Sequence, residues 1–261
     1  GQRIERVGVF SSFDSTQFSK DGSRMLTLDD KVAYVYDLDN ATANLTLVGH
    51  TNQVVSEVFS PDGKIIATTA WDGYTKIWNA TTGQLIKDIG PSGDYNWLVL
   101  FSPDNKYLLE TGPPKPTVKL WPVSNTNNQT ITPIGIGSLP LWARNAVWSP
   151  NGEFLAIGSF GQILIVRSSD LKTVQNWQIE AERFAEVSHL TWLDGGKKLA
   201  YRVTAGLEMY DFEKNLKYRW GPDDLDHYKD YYTGGQIMVV NNKGWIGGVD
   251  GDQMVRFWPY P

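Results

Sequence analysis

No cysteine occurs in the 261 residues. Disulfides, thiolate nucleophiles and Cys-ligated zinc are therefore excluded, and a chain of this length buries enough core to fold without such staples. Histidine is almost as scarce: His50, His189 and His227 lie far apart and form none of the paired spacings that hold a metal. No apolar run approaches the 18 residues that a membrane-crossing helix needs, and no stretch reads as a signal peptide. A basic excess is missing too. With 24 Lys plus Arg against 29 Asp plus Glu and a net charge of -5, nothing supplies the clustered cations that displace counterions from nucleic acid. There is no phosphate-cradling glycine loop and no Gly-x-Ser-x-Gly elbow. The expectation is a chain with no metal, no cofactor, no nucleic-acid partner and no membrane span. It opens on Gly1 rather than Met, as expected of a processed product or of a piece of a longer protein.

What is abundant is aromatic residues and glycine, with 11 Trp, 12 Tyr, 10 Phe and 25 Gly. They are organised around one stretch, Gly49 to Asn79. A strand ends at Val58-Phe59, the turn Ser60-Pro61-Asp62-Gly63 follows, a second strand runs from Lys64 to Ala70, Trp71-Asp72-Gly73 turns again, and a third strand ends at Ile77-Trp78. Pro61 presets φ at the second turn position, Asp62 bonds nearby backbone and Gly63 takes a left-handed conformation without penalty. Ile65-Ile66-Ala67, Thr75, Ile77 and Trp78 suit a buried pleated surface.

The turn recurs at Phe18-Ser19-Lys20-Asp21-Gly22, Phe101-Ser102-Pro103-Asp104-Asn105, Trp148-Ser149-Pro150-Asn151-Gly152, Trp192-Leu193-Asp194-Gly195 and, loosely, Val240-Asn241-Asn242-Lys243-Gly244. Successive spacings are 41, 42, 47, 44 and 48 residues. Third strands recur as well, ending in Tyr36, Trp78, Trp121, Val166, Tyr210 and Trp258. A period of this length marks a repeated supersecondary unit.

On these motifs the chain resembles the WD40-repeat family, whose unit is the four-stranded blade of a β-propeller. The resemblance implies an all-β fold: a single six-bladed propeller of four-stranded antiparallel blades over 1–261. Blade cores are expected at about 11–47, 51–89, 93–134, 140–179, 184–219 and 228–261. The ring would be closed by segment 3–9, a strand-like piece without a unit of its own, joining a last unit that ends after three strands and hiding its edge. The resemblance also implies a structural tetrad of His50, Thr68, Asp72 and Trp78. A helical turn is expected at 180–186.

Members of that family display residues around the top of the central channel, at the starts of first strands and in second turns. By alignment these are Ser12, Gln53, Tyr95, Trp142, Glu186 and Gly234; Asp14, Val55, Trp97, Arg144, Ser188 and Gln236; and Asp29, Trp71, Pro114, Ser159, Val203 and Gly251. Trp71, Tyr95, Trp97, Trp142, Arg144 and Gln53 concentrate on units two to four and are mostly of the types that dominate binding hot spots. The expected role is non-catalytic recognition of a protein or peptide, by a domain that is itself monomeric. Channel-plugging aromatics are the alternative reading of the same residues.

Two other functions stay open. Sequons at Asn40, Asn44, Asn79 and Asn128, with Trp and Tyr able to stack on sugars, fit a carbohydrate-binding or secreted protein; polar inter-strand turns are the favoured account of the sequons themselves. An enzyme at the channel mouth would use Asp14, Glu186, Arg144 or the acidic loop near Asp226. The compartment is open, the family pointing to cytoplasm or nucleus. Glu57, on a first strand where other units place small or apolar residues, marks either a register shift or a buried functional carboxylate.

Overall fold

The computed structural model describes residues 16–39, 42–91, 95–112, 117–123, 134–138, 143, 145–159, 161–170, 172–179, 187–203, 206–220, 237–240, 245–249 and 255–259. Their elements are strands apart from one 3-10 turn, Asp194–Gly196. None of the described residues forms a helix long and apolar enough to cross a membrane. The expected closing segment 3–9 and the expected helical turn at 180–186 lie outside the described residues.

The chain divides into two compact units, 1–144 and 145–261. In the first, one sheet is β1 (Thr16–Phe18), β2 (Arg24–Asp29), β3 (Val32–Asp37) and β4 (Thr42–Val48). The second is β5 (Val54–Phe59), β6 (Ile65–Ala70), β7 (Thr75–Asn79) and β8 (Leu85–Ile89). The third is β9 (Leu98–Phe101), β10 (Tyr107–Gly112), β11 (Thr117–Pro122) and β12 (Ile134–Ser138). In the second unit, the fourth sheet is β13 (Asn145–Trp148), β14 (Phe154–Ser159), β15 (Gln162–Arg167) and β16 (Thr173–Gln178). The fifth is β17 (Ser188–Leu193), β18 (Lys198–Val203), β19 (Gly206–Asp211) and β20 (Leu216–Trp220), and the sixth is β21 (Ile237–Val240), β22 (Trp245–Val249) and β23 (Val255–Pro259). Every sheet is an antiparallel meander in chain order.

Burial follows strand order. In the second sheet β6 and β7 are almost wholly buried, whereas outer β8 reads exposed, exposed, half-buried, exposed, buried. Neighbouring sheets pack face to face: Leu26, Val35, Leu47, Ile66 and Trp78 fill one layer between the first and second sheets. Ala67, Ile77, Val99, Phe101 and Leu108 fill the next. In the other unit Ile163, Ile165, Leu190, Trp192 and Tyr201 do the same between the fourth and fifth sheets. Ile66, Leu108, Leu155 and Leu199 occupy matching places on their second strands and are fully buried. Each such side chain contributes roughly 1.5–3 kcal/mol.

A clasp built from the repeated Ser-x-Asp motif joins first to second strands. Ser19, Ser60, Ser102 and Ser149 are buried. Their hydroxyls donate to Asp21, Asp62, Asp104 and Asn151 at 2.6, 2.7, 2.6 and 2.7 Å. Each also accepts the first N–H of the next strand, from Arg24, Ile65, Tyr107 and Phe154 at 2.9, 3.1, 2.9 and 2.9 Å. The turn closes through a left-handed residue, Gly22, Gly63 or Gly152, and Asn105 takes the same left-handed region, with a φ of 60°, where glycine is missing. The fifth turn lacks the serine and becomes the 3-10 turn, with Lys198 Nζ 2.6 Å from Asp194.

In the first clasp, hydrogen bonds from the Ser19 hydroxyl and then from Ser23 lower the Asp21 carboxyl from 3.8 to about 2. A depressed carboxylate adds stability above its unfolded value and loses it as pH falls through the folded one. Denaturation midpoints of the native chain and of Asp21→Asn are expected to differ most above about pH 4 and to converge as pH approaches about 2. The gap is expected to be small because the group is exposed. A gap independent of pH would refute the assignment.

Candidate recognition surface on the second and third sheets

Four side chains that are scattered in sequence meet inside the second sheet. Trp78 Nε1–H donates to Thr68 Oγ1 at 2.8 Å, and that hydroxyl lies 2.8 Å from His50 Nε2. His50 Nδ1 lies 2.9 Å from Asp72 Oδ2. With the imidazole neutral, only one proton arrangement satisfies all three contacts with a carboxylate at the end. Indole donates to hydroxyl, hydroxyl to Nε2, and Nδ1–H to Asp72. Such a chain requires a neutral imidazole, and burial pushes the His50 pKa down against the pull of Asp72. Its stabilising contribution is thus complete above about 6.5 and is lost as pH falls. Burial pushes the Asp72 carboxyl up, but the N–H groups of Thr51 and Tyr74 and the His50 ring hold it below the usual range.

The chain of bonds fixes the turn that carries Trp71. Asp72 Oδ2 accepts from Thr51 N at 2.9 Å, Asp72 Oδ1 from Tyr74 N at 3.0 Å, and Gly73 supplies a φ of 80°. Trp71 N donates to Gln53 O at 2.9 Å, placing Gln53 beside the turn. The Trp71 ring then meets Tyr95 at 6.2 Å and 81°, and Trp97 at 5.8 Å and 75°, both edge to face. Tyr95 is 47% exposed, and Trp71 and Trp97 are half-buried. Four of the six expected surface residues, Gln53, Trp71, Tyr95 and Trp97, therefore come together. Trp142 and Arg144 lie outside the described residues.

A glycine positions this aromatic segment. A Cβ on Gly112 would lie 2.4 Å from the Tyr95 carbonyl oxygen and 3.3 Å from Asn96 Cα. Trp97 N donates to Thr111 O at 2.8 Å, so the segment entering β9 lies directly on the end of β10. Sequence reading missed Gly112; its place opposite Trp97 shows only once the sheet is paired.

Other expected positions differ. Val55, Ser159 and Val203 align with displayed positions but are buried. For Val55 the reason is a slip in the β5–β6 ladder between Val54 and Ser56. In the fourth and fifth sheets no turn Asp anchors the alignment. Glu57 sits just past that slip, buried opposite Thr68. His189 takes a φ of 53° at a second irregularity, between Ser188 and Thr191. Of the sequons, Asn44 is exposed on β4, while Asn79 is half-buried and its Oδ1 accepts N–H bonds from Thr81 and Thr82 at 2.9 Å each. Asn40, Asn128, Asp14, Glu186 and Asp226 lie outside the described residues. Among the described residues no group of His, Asp and Glu is arranged to hold a metal.

Comparison with known proteins bears on the same repeat. The profile of the WD domain, G-beta repeat, matches residues 42–79, the stretch that holds the His50–Thr68–Asp72–Trp78 chain. Residues 42–79 are thus a WD40 repeat. A stretch of 62 residues is 44% identical to Ribosome assembly protein 4 of Chaetomium thermophilum, covering 23% of this chain and 12% of that protein. Protein hir1 of Schizosaccharomyces pombe is 26% identical over 163 residues, 54% of this chain and 17% of its own. Nuclear distribution protein PAC1 of Arthroderma benhamiae is 34% identical over 107 residues, 37% and 23% of the two. The chain thus spans less than a quarter of the length of each of these relatives.

Within the WD40 repeat, Thr68→Val keeps shape but leaves His50 Nε2 and Trp78 Nε1 without partners. It is expected to lower stability by about 3 kcal/mol in urea denaturation, against about 1 kcal/mol for Thr68→Ser, which keeps the hydroxyl. Equal losses would argue against the bonded chain. Gly112→Ala is expected to cost about 1–3 kcal/mol and to change the near-ultraviolet circular dichroism of the Tyr95–Trp97 segment. An unchanged spectrum with unchanged stability would refute the close approach.

Proposed function

We propose that this chain is a non-catalytic recognition module that binds a protein or peptide through Trp71, Tyr95 and Trp97, with Gln53 beside them and Trp142 and Arg144 of the next repeat extending the surface. Its frame is a single six-bladed propeller over residues 1–261, its ring closed by segment 3–9 against the last strand. The observation that carries the reading is the aromatic triad. Trp71 holds Tyr95 and Trp97 edge to face, and Tyr95 leaves about half its surface in solvent. Aromatic groups held this way lose little side-chain entropy on binding and supply large contact areas.

Of the relatives, one is named for ribosome assembly, which supports a role alongside other proteins, and another is named for nuclear distribution. Displayed aromatics anchored on a buried hydrogen-bond chain are what a recognition surface needs, whereas catalysis needs placed acids, bases or nucleophiles. The test is capture of partners by the native chain and by Tyr95→Ala/Trp97→Ala, after circular dichroism and thermal melting establish equal folding. Partners are expected to disappear selectively from the variant. An unchanged set would overturn the assignment of these residues.

A further inference from the structure

We infer that the triad takes a cationic side chain, a lysine or arginine of the bound partner, in an inference that rests on the recognition reading above and names its ligand chemistry. Two observations meet here. Ring planes at 75° and 81° to Trp71 bound corners rather than a flat stack, so a group entering a corner meets more than one ring. A cation within about 6 Å of such rings is attracted by their quadrupoles, to indole most strongly.

The second observation is the charge beside that corner. The hairpin between β2 and β3 turns through Asp30 and Lys31, with Asp30 at a φ of 50° and Asp29 paired with Val32. Asp29, Asp30 and Lys31 are exposed, two carboxylates against one ammonium, and neither carboxylate forms an ion pair among the described residues. This turn is tied to the aromatic one through a single peptide unit. Val54 N donates to Asp30 O at 2.7 Å, and Gln53 O, in the same peptide, accepts from Trp71 N at 2.9 Å. The backbones of Asp30 and Trp71 therefore lie roughly 8 Å apart, within one Debye length at physiological salt. Lys76, the basic residue of β7, is neutralised by Asp88 at 2.8 Å. Among these described side chains carboxylates outnumber ammonium groups, and the whole chain carries a net charge of -5.

The test uses capped pentapeptides that differ only at the central residue, lysine, arginine or norleucine, the last keeping the alkyl stem without the charge. Binding is read from the 19F resonances of fluorotryptophan at Trp71 and Trp97, assigned with Trp71→Phe and Trp97→Phe. Lysine and arginine peptides are expected to shift both resonances saturably, with norleucine weaker by roughly fivefold or more. Asp29→Asn/Asp30→Asn is expected to weaken the lysine peptide about two- to fivefold, with a shallower salt dependence. Equal binding of norleucine, an unchanged affinity in the Asn variant, or no shift with any peptide would overturn the inference. Partner loss from Tyr95→Ala/Trp97→Ala together with equal norleucine binding would leave the recognition surface standing and remove its cationic ligand.

Discussion

A hydroxyl buried between an indole and an imidazole can accept from one and donate to the other, and Thr68 does both. That constraint sets the direction of every proton in the chain that ends at Asp72. With the direction set, the second carboxylate oxygen is left to hold Tyr74 N–H, and the turn through Trp71 and Gly73 has one arrangement. Trp71 leaves this turn as the element against which Tyr95 and Trp97 rest. The displayed surface therefore depends on a buried interaction centred three residues before Trp71. Low local dielectric makes each link strong, and makes an unpaired one costly.

The place of Thr68 recurs in other sheets, counted from the first bond of each second strand, and its occupants explain why the hydrogen-bonded chain is confined to the second. In the first sheet it is Thr27, with no histidine at hand. In the third it is Glu110, buried, whose carboxylate accepts from Thr75 of the neighbouring sheet at 2.7 Å and lies 3.7 Å from Lys119. Trp121, the counterpart of Trp78, keeps its packing but its indole N–H has no bonded partner among the described residues. In the fourth the place belongs to Ile157, and in the fifth to Tyr201, whose phenol burial and Glu208 push up. One backbone position thus supports a bonded chain, an inter-sheet anchor or plain apolar packing. Removing the polar group from both sides of such a site costs little, whereas removing it from one side costs a great deal.

The local geometry was legible where a residue's own chemistry decides it. Serine, a residue two further on that accepts its hydroxyl, and glycine at fixed offsets announce the clasp, and Asn105 replaces glycine because asparagine tolerates the left-handed region. The His50, Thr68, Asp72 and Trp78 set could be named because the resemblance gives its spacing. What sequence could not give was register. Counting back from the turn serine places Val55 at the surface, but one slipped residue between Val54 and Ser56 turns it inward. A one-residue shift in a strand exchanges its faces. Gly112 was invisible for a related reason, since the atom it spares belongs to a segment paired with it only in the folded sheet.

The surface and its support also differ in how they resist change. Tyr95 and Trp97 approach from a segment pressed onto β10, where Gly112 leaves no room for a side chain and Trp97 N is bonded to Thr111 O. Thr111 in turn donates its hydroxyl to Ala143 O at 2.8 Å, so the strand beneath the aromatics is itself tied down. Flexible aromatic side chains on a free loop would lose much of their contact energy to ordering when a partner arrived. Here the ordering occurs on folding, so in the proposed recognition role the free energy of contact would be left for the partner. The exposed part of the triad is thereby free to vary in chemistry without disturbing the fold, whereas Gly112 and Thr68, which lie beneath it, are the positions at which a change would move the surface itself.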